Sequence, residues 1–265
     1  MAYAEKAAEL LTGREYGVTA LKETDSTNLE AKRIISSIGD AHVIIADMQT
    51  AGRGRLGRSF FSPDGGIYLS YIKKLPEQVE NLPLLTSFAG IAVCRAVESM
   101  LPRFIQPLQI KWPNDILIDG KKICGILTSL VTDTTSNRIS HAIIGIGLNV
   151  LSKPEDFPQD FRSKVGSILS QTGTELKPDE LCAGLVLELD KMFFEEQVLE
   201  VKQPHLFGLL KARSFTIGHD VEFESDGRRL RGRAVDINED GSLLVTGNFG
   251  EKSISSGEAV VLVRD

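Results

Sequence analysis

The sequence is short of the residues that most often announce a special chemistry. Its three cysteines, Cys94, Cys124 and Cys182, lie far apart, form no CxxC pair and sit among apolar neighbours. That pattern argues against a disulfide framework and suits ordinary buried thiols in a reducing compartment. The four histidines, His42, His141, His205 and His219, show neither HxH nor HxxxH spacing, so no metal held by the protein is assigned. Positive charge is not in excess: 30 basic residues face 36 acidic ones, a net charge of −6. General nucleic-acid binding, which needs a basic footprint, is therefore disfavoured. No run of about 18 apolar residues suggests a membrane span. Residues 1–11 lack the basic start, apolar stretch and cleavage site of a signal peptide. A cytoplasmic protein without membrane contact is expected.

What is present is an ordinary globular composition, 42% apolar and 25% charged. The length of 265 residues suits one large and one small domain. Apolar spacing predicts a helix over 4–11, a strand over 18–22, and a helix running from an Asp25-Ser26-Thr27 cap to Ile38. A strand-length run over 42–48 feeds the loop 50–58, and 66–73 alternates like a strand. Leu84, Leu85, Phe88, Ile91, Ala92 and Val97 recur at helical spacing and predict a long core helix over 82–101. Short strands over 108–111 and 115–118 flank Trp112-Pro113-Asn114. Asp119-Gly120 signals a hairpin into 123–131, and the polar turn 133–138 precedes a strand over 141–150. Hairpins this closely spaced imply an α+β fold: a mixed, largely antiparallel sheet with helices on one face. After a loop at 154–158, Asp179 is expected to cap a helix through Glu196, followed by a shorter helix near 204–211. Beyond Arg213, short strands turn at Asp226-Gly227, Asp240-Gly241 and Asn248-Phe249-Gly250, as in a small antiparallel barrel. We place a boundary near Ala212, between a domain of residues 1–212 and one of 213–265.

Four segments carry chemistry. Ala51-Gly52-Arg53-Gly54-Arg55-Leu56-Gly57-Arg58 interleaves arginines with glycines that let backbone N–H groups turn toward an anion. Arginine forks suit phosphate and carboxylate; a nucleic-acid contact and a plain solvated loop stand beside that reading. The loop is neither a Walker A sequence nor a Rossmann fingerprint. Lys111-Trp112-Pro113-Asn114-Asp115 presents a cation, an aromatic plane, an amide and a carboxylate in one turn, or else a polar turn over a packed tryptophan. Lys122 opens a strand that continues through Cys124-Gly125-Ile126-Leu127. Ile144-Gly145-Ile146-Gly147-Leu148-Asn149 puts glycines inside an apolar strand, where a ligand or another backbone approaches closely or the packing is simply tight.

In this order the set resembles the biotin protein ligases. The resemblance rests on Asp25-Ser26-Thr27-Asn28, Gln49 with the Gly52–Arg58 loop, Ser62-Pro63, Lys111–Asp115, Lys122 with Gly125-Ile126-Leu127, and Gly145–Asn149. It spans roughly residues 18–150, and the last fifty residues resemble that family's small barrel. It implies a class II synthetase-like catalytic domain followed by an SH3-like β-barrel. The implied activity forms biotinyl-5′-adenylate from biotin and ATP with Mg2+, then acylates a lysine of a biotin carboxyl carrier domain of acetyl-CoA or a related carboxylase.

By the same resemblance, Ser26, Thr27, Asn28, Gln49, Gly52, Arg53, Gly54, Arg55, Lys122 and Gly125 would contact biotin. Arg53, Arg55, Arg58, Lys111, Asn114 and Asn149 would serve ATP or the adenylate, and the loop would order on binding. Lys122, Arg55 and Asp115 are the implied catalytic groups. Three departures from the family stand out: Phe60 where many members have tryptophan, Leu56 where some have arginine, and Val235 where some have an ATP-contacting arginine. Arg231 and Arg233 lie near that last position. Only 24 residues precede Asp25, too few for the DNA-binding domain of the repressor members, so a ligase without operator binding is expected. A homodimer is compatible with the sequence but not required by it. Rival readings are a lipoate ligase, whose arginine and triple-glycine segment is absent, a nucleic-acid module using Arg53–Arg58 and Arg228–Arg233, and a catalytically dead adaptor.

Overall fold

Strands that alternate apolar with small or polar residues build a sheet whose two faces differ chemically. The computed structural model describes residues 2–79, 82–102, 107–133, 136–225, 227–255 and 260–262. In chain order the elements are α1 (Tyr3–Leu10), β1 (Gly17–Thr24), α2 (Thr27–Ile34), β2 (Ala41–Gln49), β3 (Gly66–Lys74), α3 (Leu85–Met100), β4 (Gln109–Lys111), β5 (Asp115–Ile118), β6 (Lys121–Thr132) and β7 (Ile139–Asn149). Then follow α4 (Gln159–Arg162), α5 (Ile168–Thr172), α6 (Pro178–Asp190), α7 (Pro204–Ala212), β8 (Asp220–Ser225), β9 (Arg228–Ile237), β10 (Leu243–Gly247), β11 (Gly250–Ile254) and β12 (Val260–Leu262).

The larger sheet has the order β1-β2-β3-β7-β6-β5-β4. Only β1 and β2 run parallel; every other pairing is antiparallel. The mixed, largely antiparallel sheet expected from the sequence is thus the sheet observed. Ile144, Ile146 and Leu148 of β7 join the main core with Phe88, Ile91 and Val97 of α3 and Leu181, Leu185 and Leu189 of α6. The other face is covered by α2 over a small second cluster, Ala31, Ile44, Ile72 and Ile143. Helices therefore occupy both faces rather than one, but α2 has only eight residues. The rest of its face is left to small and polar side chains.

The second sheet is antiparallel, in the order β11-β10-β9-β8-β12. Among the described residues the unit is a five-stranded antiparallel sheet, with β11 and β12 at its two edges. Of its expected turns, Asp226 lies outside the described residues, as do residues 134–135 of the turn before β7. One of the points that fasten this sheet to the first lies at Trp112. The Trp112 N–H donates to Thr216 Oγ1 (2.9 Å), and its indole Nε1 donates to the Gly241 carbonyl (3.0 Å).

Two local expectations change. Lys177, not Asp179, is the N-cap of α6, because Pro178 takes the first helical position that its fixed φ and missing N–H suit. Asp179 falls in the first turn. The regular helix ends at Asp190, and one π-helical turn, Lys191–Glu195, carries it on. Finally, Leu82–Met100 is long and apolar enough to pass for a membrane span by length and composition, but 67% of that stretch is buried inside the protein, as for the core helix expected there.

Where α6 gives way to the π turn, Asp190 accepts hydrogen bonds from Tyr71 (2.8 Å) and Tyr16 (2.6 Å). Burial pushes its carboxyl above the ordinary range, and the two phenol donors pull it back. Tyr71→Phe removes one donor and should cost about 1–3 kcal/mol at pH 7. The loss should be smaller at pH 5. A carboxyl raised in the folded state binds protons there that the unfolded chain has released, so stability falls as pH rises through the folded value. Urea unfolding at the two pH values measures both.

Candidate active site

The start of α2 is set by Asp25. Its carboxylate accepts the Ser26 N–H (2.7 Å) and pairs with Arg33, two turns further along (2.5 Å), which holds the carboxyl down at about 2. The Ser26 side chain makes no capping bond. Asp25 therefore anchors the helix start, and the residues after it are presented to the sheet.

Thr27 and Asn28, the first residues of α2, are buried in a polar network. The Gln49 side-chain oxygen Oε1 accepts from the Thr27 N–H (2.9 Å) and hydroxyl (3.3 Å), while Gln49 Nε2 donates to Ser62 Oγ (2.9 Å). The Ser70 hydroxyl lies 2.8 Å from Thr27 Oγ1 and 2.6 Å from Asn28 Oδ1, and Asn28 Nδ2 donates to the Leu127 carbonyl (3.1 Å). Each side-chain amide is thereby held in one orientation. Ser70, fully buried, was missed by the sequence reading. The one serine amid the apolar and aromatic run of β3 was its signal.

The arginine loop is closed upon itself. Arg53 pairs with Ser59 in an antiparallel bridge, the Gly54 N–H donates to the Arg58 carbonyl (2.7 Å), and the Phe60 N–H donates to the Gly52 carbonyl (2.8 Å). Leu56 adopts φ 55°, the left-handed conformation at the tip. Gly52 has no room for a side chain, because a Cβ there would meet the Phe60 carbonyl and the Ser62 hydroxyl. Arg53 and Arg58 are exposed, whereas Arg55 is half-buried and donates to Asn114 Oδ1 (3.2 Å). Burial lowers the Arg55 pKa, Asp115 raises it and Arg58 lowers it.

The Lys111–Asp115 turn receives a second cation. Lys122 Nζ lies 2.7 Å from Asp115 Oδ1 and 5.8 Å from the centre of the Phe60 ring. Asn114 is fixed from below by its Nδ2 bond to the Ile126 carbonyl (3.0 Å). Lys111 ends β4 directly opposite Asp115. Arg55 and Lys122, distant in sequence, thus converge on adjacent residues of one turn. A cleft of about 350 Å³, counted to its open mouth, lies beside Arg55 and is walled by Thr86, Pro113, Ile126, Leu127 and Thr128.

Gly125 and Gly147 face each other across β6 and β7. The Phe60 ring rests on both, and a Cβ at Gly147 would collide with it. Gly145 is equally constrained, because a Cβ there would strike the Asn28 amide. The strand glycines mark a close approach of side chains. Asn149 ends the row: its Nδ2 donates to the Gly166 carbonyl (2.9 Å), while its buried Oδ1 has no hydrogen-bond partner among the described residues.

The basic turn of β9 is arranged differently. Arg229 pairs with Glu222, and Arg231 (3.0 Å) and Arg233 (3.5 Å) pair with Asp220 across the strands. These two carboxylates offset part of the positive charge that a nucleic-acid phosphate contact would use.

The structure is thus a two-sheet α+β chain with buried amides near two cations that meet one turn. Residues 19–149 match the biotin/lipoate A/B protein ligase family, and residues 216–262 match the biotin protein ligase C-terminal domain. The chain belongs to the biotin protein ligase family. It is 33% identical over 217 residues to the bifunctional ligase/repressor BirA of Bacillus subtilis, a match that takes in 82% of this chain and 65% of that protein. The chain thus spans a little under two thirds of that relative's length. It is 29% identical over 252 residues to the biotin–[acetyl-CoA-carboxylase] ligase of Mycobacterium tuberculosis, covering 94% and 90% of the two chains. Among solved structures, the biotin protein ligase of Aquifex aeolicus in complex with biotin and ATP superposes with a TM-score of 0.75 at 28% identity, covering 93% of this chain and 99% of that one.

Two glycine substitutions separate close packing from mere flexibility. Gly145→Ala should destabilise by about 1–3 kcal/mol, because the Asn28 network has no slack. Gly184→Ala, in α6 with open space around the added methyl, should instead stabilise by about 0.5–1 kcal/mol. Denaturant midpoints of the two variants test the contrast.

Proposed function

We propose that the protein activates biotin with ATP and transfers it to a lysine of a carboxylase biotin carrier domain. The observation that carries the reading is the convergence of Arg55 and Lys122 on Asn114 and Asp115, near a network of buried neutral amides and hydroxyls. A bicyclic urea calls for neutral donors and acceptors, and Thr27, Asn28 and Gln49, with Ser26 beside them, supply that chemistry. A carboxylate is already ionised near pH 7, so its attack on an α-phosphorus needs no base. It needs two anions held in line and shielded from one another. Lys122 and Arg55 are the groups to do so, with Arg53 and Arg58 on the loop above.

In the first step a biotin carboxylate oxygen bonds to the α-phosphorus, and the bond to pyrophosphate breaks. Asn149, whose buried oxygen lacks a donor, suits a nucleotide amine, and Gly125, Gly147 and Phe60 form the floor near Lys122. Lys111 and Asn114 flank the phosphates. Mg2+ would enter with ATP, bound chiefly by phosphate oxygens and water as is usual for this ion; Asp115 is the nearby carboxylate that fits it. In the second step an uncharged lysine amine attacks the acyl carbon and AMP leaves. Asp115 is placed to receive the amine proton once Lys122 has turned to the ligand. Partners named in relatives, such as the acetyl-CoA carboxylase of the Mycobacterium protein, support a carboxylase carrier as acceptor.

Pyrophosphate exchange into ATP should depend on biotin and not on lipoate; exchange with lipoate alone would sink the reading. Asp115→Asn should slow transfer from preformed adenylate by about 10²-fold, read by single-turnover biotinylation of a carrier domain. Arg55→Ala should leak adenylate, seen as increased labelling of bystander proteins.

A further inference from the structure

The strands that carry the arginine loop separate before they reach it. β2 pairs with β3 only as far as Ala46 and Tyr68, although it stays paired with β1 to Gln49. β3 in turn remains paired with β7 through Gly66. The result is a fork, with Asp47–Gln49 on one prong and Gly66-Ile67 on the other. Such a fork exposes buried backbone groups, which must find partners.

The partner is Tyr3. Its hydroxyl donates to the Ala46 carbonyl (2.5 Å) and accepts the Tyr68 N–H (2.9 Å), so one side-chain oxygen takes the place of a direct rung between the strands. The same turn of α1 is clamped to the next residue of β2, where the Ala4 N–H donates to Asp47 Oδ1 (2.9 Å). Both prongs then lead to Gln49. Two residues beyond Asp47, Gln49 holds Thr27 and Ser62. On the other prong the Tyr68 phenol donates to the Pro63 carbonyl, beside Ser62.

We propose that Tyr3 is a positioning residue: by bridging Ala46 and Tyr68 it sets the width of the fork and so the placement of Gln49 and the arginine loop. It touches no site residue directly. Its reach is through the closed circuit Tyr3–Tyr68–Pro63–Ser62–Gln49–Asp47–Ala4. This places control of the pocket on α1, a segment that lies before the matched family region begins at residue 19. The ligand half of the inference rests on the biotin reading above; the fork itself does not.

Tyr3→Phe keeps the ring and removes the bridging oxygen. Tyr16→Phe is the control, since it too removes a buried hydroxyl, one bonded to Asp190, beside the end of β1 remote from Gln49. In ligand-free protein, amide hydrogen exchange over residues 47–62 should quicken in Tyr3→Phe and not in Tyr16→Phe. The KM for biotin in pyrophosphate exchange should rise roughly tenfold, about the worth of one hydrogen bond, with kcat within twofold of the parent. Asp47→Ala, which loosens the same clamp without touching Tyr3, should quicken the same amides and serves if Tyr3→Phe does not fold. Unchanged exchange over 47–62 in these variants overturns the fork, whatever the ligand does. Quickened exchange with an unaltered biotin KM overturns the coupling to the pocket. A parent protein without biotin-dependent exchange defeats the functional reading instead, and the amide measurement still judges the fork.

Discussion

A polar site and an apolar core share one sheet here because successive side chains of a strand point to opposite faces. In β7 the alternation sends Ile144, Ile146 and Leu148 into the main core. On the other face Gly145 meets Asn28 of α2, Gly147 meets Phe60 and Asn149 turns to the Gly166 carbonyl. The same division runs through β6, where Cys124 and Ile126 are core while Gly125 lies under Phe60. A slip of one residue in register would exchange the faces and abolish both. Thirteen residues of α6 and sixteen of α3 cover the apolar side, whereas α2 has eight. The gap left beside that short helix is where the site forms.

Within the gap, neutral and charged groups are kept apart. The amides of Asn28 and Gln49 have their directions fixed by Ser70, Ser62 and the Leu127 carbonyl, so a ligand there meets prearranged donors and acceptors. The cations gather at the other end. Arg55 and Lys122 would repel one another strongly in a half-buried place, and Asp115 offsets that repulsion as the ion-pair partner of one and a favourable charge beside the other. The turn that carries Asp115 is also the one bolted to the second sheet through Trp112. Displacement of that sheet is therefore felt directly by Asn114 and Asp115.

Much of this was legible in the sequence. Period-2 alternation gave most strands of the main sheet, helical spacing gave α3, and the glycine-arginine loop and the Lys111–Asp115 turn were recognisable as segments. Departures came where neighbours outweighed local signals. Pro178 displaced Asp179 from the cap, and α2 packed on the face opposite the other helices. Ser70 was overlooked as a site residue because a serine in a strand of apolar and aromatic residues acquires meaning only from Thr27 and Asn28, some forty residues away.

By itself the sequence determined which segments were strands and helices and which residue types were available for anion and amide chemistry, since these follow from local periodicity and side-chain character. Only the tertiary structure decided that Arg55 and Lys122 meet at one turn, that Phe60 lies across Gly125 and Gly147, and that Tyr3 reaches into the fork between β2 and β3. Such meetings depend on strand order and register, which are settled by the burial of the whole apolar face at once and are encoded in no single stretch of chain.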